Sequence, residues 1–159
     1  MLLSILIGCE EDSFQPEQII YSIEHALLFQ NSQIDTVYDR GELTLAASHS
    51  GNQLVFSYFF SQEHKANVAD DEYEQELFFE ISPFDTIFEF TENLYNETKL
   101  QFKDRCFGNC TGEFIAIHDG KLTGEKIDST TWFVILHLDN ESLGRMNKIR
   151  FIENFKLQN

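Results

Sequence analysis

A two-residue alternation of large apolar side chains runs through most of this chain and constrains its fold more than any other feature. In the segment QLVFSYFF (53–60), one parity holds Phe56, Tyr58 and Phe60, while the other holds a valine and another phenylalanine. Successive side chains of a strand point to opposite faces, so this pattern predicts β-structure. Sixteen Phe and five Tyr strengthen the prediction, because large rings pack well on a pleated surface.

Turn residues separate several segments with this pattern. Strands are predicted at 43–48, 53–60, 76–81, 86–90, 99–103, 113–118, 121–127, 131–138 and 149–155. Short hairpin turns are predicted at Gly51-Asn52 and Asp119-Gly120. Residues 16–30 instead have apolar side chains three, four and seven positions apart and a proline at the start, which predicts an amphipathic helix. The expected fold is mainly β, an antiparallel β-sandwich or small barrel with one N-terminal helix.

The charge of the chain restricts its partners. The formal net charge is −16, and residues 1–98 hold only Arg40 and Lys65 against nineteen acids, a net of 2 − 19 = −17. Nucleic acids and anionic membranes recruit basic surfaces, so neither is an expected partner of the body of the chain. A basic protein partner remains compatible, although the acidity also serves solubility alone.

The N-terminus carries the most specific short motif. Met1 to Gly8 reads MLLSILIG, an uncharged apolar run followed by Cys9 and three acids. Leu6, Ile7, Gly8 and Cys9 resemble the lipobox of bacterial lipoproteins, in which the cysteine is acylated and becomes the first residue of the mature protein. The resemblance implies a lipid anchor at Cys9 and a location in the bacterial cell envelope, at the periplasm or outer membrane.

A secretory signal normally has a basic n-region and an apolar stretch of roughly 7 to 15 residues, and the motif departs from this pattern, since no Lys or Arg precedes Arg40. The alternative is that residues 2–7 form a buried first strand, with Cys9 a small core or turn residue and the protein cytoplasmic. Residues 1–8 are thus either a cleaved signal remnant or a first strand, and 9–159 form a single β-rich domain. The run is too short to span a bilayer, so the lipid anchor is the one membrane attachment expected.

The two remaining cysteines lie close together in the segment RCFGNCTG. Gly and Asn between Cys106 and Cys110 suit a tight turn, so a local disulfide is plausible. Setting Cys9 aside leaves an even pair, as expected outside the cytosol. Free thiols and a zinc site that includes His118 are the alternatives, although the zinc site lacks a fourth ligand.

Residues able to carry chemistry are few. Phe56, Tyr58, Phe60 and Trp132 could line a ligand cavity if both faces of their sheet are apolar, or they could form the core. The acids of the stretch 66–76, expected to be an exposed loop, include three hard oxygen ligands, although the stretch lacks the spacing of a calcium loop. These metal candidates are Asp70, Asp71 and Glu72.

Phosphate-binding, metalloprotease and nucleophile-elbow motifs are absent from the sequence, and no pair of carboxylates stands out for hydrolysis. We therefore expect no enzyme and no cofactor. The expected function is a lipid-anchored envelope β-domain with a non-catalytic binding or structural role. The alternative is a soluble acidic inhibitor or immunity-type protein that covers a basic site on a toxin or nuclease.

Overall fold

Ten strands and a short helix make up the computed structural model of this chain, which describes residues 22–39, 42–62, 73–106, 110, 112–139 and 148–158. The elements are β1 (Ser22–Asp39), β2 (Glu42–Ser50), β3 (Gln53–Gln62), β4 (Tyr73–Ile81), β5 (Ile87–Phe90), α1 (Leu94–Thr98), β6 (Gln101–Cys106), β7 (Ile115–Ala116), β8 (Lys121–Lys126), β9 (Thr131–Asp139) and β10 (Lys148–Leu157). The prediction of a mainly β fold is confirmed. Each predicted strand coincides with an observed one or overlaps it, and β4 already begins at Tyr73, inside the stretch expected to be a loop.

All ten strands belong to one sheet. Nine follow the order β5-β8-β9-β10-β1-β3-β4-β6-β7, and β2 pairs with β1. The pairings are antiparallel except that of β1 with β10, where Leu27 and Leu28 lie beside Lys156 and Leu157 in parallel. The predicted all-antiparallel arrangement is therefore wrong at this central position, and the sheet is mixed.

The connection between β7 and β8 requires the sheet to curl. These strands stand seven places apart in the strand order, which would be roughly 34 Å in a flat sheet at about 4.8 Å per strand. The chain from Ala116 to Lys121 reaches at most about 18 Å. The sheet accordingly curves into a half-barrel, closer to the predicted barrel than to a sandwich.

Aromatic rings fill the inside of the half-barrel. Phe56 of β3 lies 4.4 Å from Phe79 on the adjacent strand, measured between ring centroids, 5.7 Å from Trp132 of β9 and 5.2 Å from Phe155 of β10. All four rings are buried. Strands distant in the sheet order thus meet through their inward side chains, which is the main source of apolar burial in the described chain.

The predicted helix at 16–30 is wrong over the part that is described. Residues 16–21 lie outside the described residues, and 22–30 belong to β1. Leu28 faces the main core and Phe29 packs on the opposite face, against Val55. A strand with both faces covered carries a continuous apolar run, and such a run also satisfies the spacing of a helix. Pairing of this segment with β3 and β10 makes it a strand rather than a helix.

The two predicted hairpin turns have other roles. β2 and β3 pair with successive parts of β1 rather than with each other, so Gly51-Asn52 interrupts one long strand instead of closing a hairpin. The Gly51 amide donates to the carbonyl of Asn31, and a Cβ on Gly51 would lie 2.6 Å from that of Gln33. Asp119-Gly120 lies in the β7–β8 connection, whose strands do not pair. The predicted hairpins are therefore wrong at both positions, because the strands on either side of each turn pair with other strands.

Candidate functional site

The aromatic residues predicted as binding candidates are part of the core. Phe56, Tyr58 and Trp132 are buried there, and Phe60 packs against the same cluster. The rings contact one another instead of lining a cavity: Tyr58, for example, stacks on Phe151 at 5.1 Å. Their alternation arises from the need to fill a half-barrel, so these residues are assigned to packing.

A disulfide joins Cys106 at the end of β6 to Cys110, with a sulfur–sulfur distance of 2.06 Å. This confirms the predicted pairing of Cys106 with Cys110. Three other candidate positions, Asp70, Asp71 and Glu72, lie outside the described residues, as does Cys9. Within the described ranges, no group of three or more His, Cys, Asp or Glu side chains could hold a metal ion.

Two carboxyl groups and a phenol meet across the adjacent strands β10, β1 and β3. The Tyr58 hydroxyl donates to Glu24 Oε1 at 2.7 Å. The parallel register of β1 with β10 brings Glu153 beside Glu24, and the two carboxyls hydrogen-bond each other. Burial, then the neighbouring Glu24, raises the pKa of Glu153 above its usual value. Burial and the bond to Glu24 also raise the pKa of Tyr58.

The raised pKa of Glu153 predicts a pH-dependent stability. Between the ordinary glutamate pKa and the higher folded-state value, the native protein holds a proton that the unfolded chain has released, so stability falls as pH rises through that window. We expect Glu153→Gln to raise the urea midpoint at pH 8 and to change it little at pH 4. The exposed Glu125→Gln is the matched control. An equal effect of Glu153→Gln at both pH values would contradict the prediction.

The outer face of the sheet at β5, β8 and β9 forms a groove of about 420 Å³. Its walls are Ile87 and Glu89 on one side and Phe133 and Ile135 on the other, and Thr123 and Glu125 of β8 lie between them. Ile87 is 72% exposed. An apolar groove with a few polar groups is the usual form of a binding site.

Charges flank this groove in register. Lys121 of β8, His137 of β9 and Arg150 of β10 stand opposite one another across three adjacent strands, and all three are exposed. Glu125 stands four residues from Lys121 on β8, at the other end of the groove. Lys121 also forms an ion pair with Glu89 at 2.7 Å. The face therefore has Glu125 between two apolar side chains at one end, Glu89 and Thr123 beside Ile135 in the middle, and Lys121, His137 and Arg150 at the other end.

The acids of β4 are differently placed. Glu74, Glu76 and Glu80 each form an ion pair with a base at the β6 side. Their partners are Arg105 at 3.3 Å, Lys103 at 3.6 Å and Lys99 at 2.8 Å respectively. Part of the acidity of the first three fifths is thus neutralised by bases from the last two fifths when the chain folds.

No protein-family model, curated protein or solved structure matches this chain. Among the residues that the structure describes, no helix has the length and apolar character needed to cross a membrane. The groove over β8, with its flanking charges, is the candidate functional site. Sequence reasoning missed it because no contributing strand carries a binding motif, and the groove forms only where β5, β8 and β9 lie side by side. A signal in the sequence is that Phe133 and Ile135 alternate with buried residues and are apolar although they face outward.

Proposed function

We propose that this protein is an envelope domain, lipid-anchored through Cys9, that binds a partner without catalysis. The disulfide between Cys106 and Cys110 carries the proposal, because disulfides form and persist in oxidising compartments. It also leaves Cys9 as the single thiol of a three-cysteine chain. The lipobox resemblance of Leu6 to Cys9 and the oxidised pair thus point to the same compartment by separate chemistry.

A binding role is supported by the outward-facing groove. Aromatic rings fill the described inside of the half-barrel, and the groove lies on the outer face of the sheet, where Phe133 and Ile135 form an apolar wall. The acidic-inhibitor alternative draws less support, because Glu74, Glu76 and Glu80 are held by intramolecular bases rather than offered to a partner.

Intact mass of the protein produced in a bacterial host from a gene with its own N-terminus tests the anchor. We expect loss of every residue before Cys9, a diacylglyceryl or triacyl adduct on Cys9, and two hydrogens fewer than the reduced mass for the Cys106–Cys110 bond. Cys9→Ala is the matched variant and should remain uncleaved and leave the membrane fraction. An unmodified chain that retains Met1 would reject the anchor and favour the soluble alternative.

A further inference from the structure

We propose that the outer face of β5, β8, β9 and β10 binds an extended segment of a partner protein whose alternate side chains are basic, aliphatic and acidic. The inference does not depend on the lipid anchor. It rests on three cross-strand rows of side chains that the strand register places side by side.

The first row is acidic and apolar, with Glu125 between Ile87 and Phe133. The second row ends in Ile135 and Ile152, the latter 45% exposed, and its other end holds Thr123 and Glu89, whose carboxylate pairs with Lys121 of the third row. The third row holds Lys121, which pairs with Glu89, then His137, and then the exposed guanidinium of Arg150. Neighbouring rows are two residues apart along each strand, and no described base forms an ion pair with Glu125.

The spacing of the rows matches the repeat of an extended chain. Side chains two residues apart in a strand are about 6.7 Å apart, so positions i, i+2 and i+4 of a bound segment span about 13 Å. Glu125 and Arg150 stand four residues apart along the strands and two strands apart across them, about 16 Å by the same spacings, so the segment crosses the strands obliquely and its long charged side chains cover the remaining distance of about 3 Å. A Lys or Arg at i would face Glu125, an aliphatic side chain at i+2 would cover Ile135, and an Asp or Glu at i+4 would face Arg150.

Shape and charge favour this occupant over two others. A second copy would present the same concave groove, and two concave faces do not interlock. An anionic lipid surface would meet the carboxylates Glu89 and Glu125 beside the apolar residues. A narrow extended segment instead fits a groove of about 420 Å³ and pairs with both charged ends.

Selection of random linear peptides displayed on phage, with the immobilised full chain as bait, tests the proposal. Enriched peptides should carry a basic and an acidic residue four positions apart with an aliphatic residue midway. Their affinity should fall about five- to tenfold with Glu125→Lys and with Arg150→Glu. It should not change with Glu97→Lys, an exposed charge reversal on α1. Selection on the Glu125→Lys variant should replace the basic position with an acidic one.

Several outcomes would overturn the proposal. Absence of enrichment, enrichment without this spacing, or equal binding by Glu125→Lys would each do so. A concentration-dependent dimer abolished by Arg150→Glu would assign the face to a second copy. Binding to vesicles of phosphatidylglycerol and phosphatidylcholine that Arg150→Glu abolishes would assign it to a lipid surface.

Discussion

Replacing Phe56 with alanine is expected to lower the free energy of unfolding by about 3–5 kcal/mol. The ring is fully buried and contacts Phe79, Phe88, Trp132 and Phe155, which come from four different strands. Its removal would leave a cavity that these rings cannot close without moving the strands that carry them. Because native proteins are stable by only about 5–15 kcal/mol, this variant should be among the most destabilised.

Urea denaturation followed by far-ultraviolet circular dichroism measures this effect, and Trp132, the single tryptophan, supplies a fluorescence probe. Phe84→Ala is the matched control, since that ring is 91% exposed and should change stability by less than about 0.5 kcal/mol. Similar midpoints for the two variants would show that the half-barrel is not packed as described.

Gly120→Ala is expected to cost about 2–4 kcal/mol. The backbone of Gly120 has a φ of 140°, and an added Cβ would lie 2.6 Å from Leu138 Cδ2 and 2.7 Å from the carbonyl oxygen of His137. A backbone atom of β9 cannot move away without disturbing the sheet. The residue lies in the connection that carries the chain from β7 to β8, so strain there acts on the curl of the whole sheet.

Gly112→Ala separates the cost of the left-handed backbone conformation from the cost of crowding around the added Cβ. Its φ of 64° is also left-handed, but no atom lies within 4 Å of the position of an added Cβ. It should therefore show only the cost of the backbone conformation, about 1 kcal/mol. Urea midpoints of the two variants give the comparison, and an equal loss would mean that crowding at Gly120 contributes nothing.

The strands were predictable because alternation is a local property. Trp132, Val134 and Leu136 face the core, and the residues between them face outward, as period two requires. Assignment of 22–30 to a helix failed because Ala26 to Phe29 is a continuous apolar run, and an apolar run has no period of its own. Pairing with β3 on one edge and with β10 on the other makes this segment a strand.

The sites were less predictable than the strands. Cys106 and Cys110 could be paired from sequence because only three residues separate them. Glu24 and Glu153 lie near opposite ends of the chain, and only the parallel pairing of β1 with β10 brings them together. The groove over β8 likewise requires β5, β8 and β9 to be neighbours, although β8 and β9 alone are adjacent in sequence.

By itself, the sequence determined that this chain forms strands and which residues of most strands share a face, and it made a local pairing of its last two cysteines plausible. Those properties depend on side chains a few residues apart, whose geometry any strand or turn imposes. The tertiary structure alone decided the strand order, the curl of the sheet and the alignment of charged rows on its outer face. These depend on contacts between distant segments, which are set by the packing of the whole core at once.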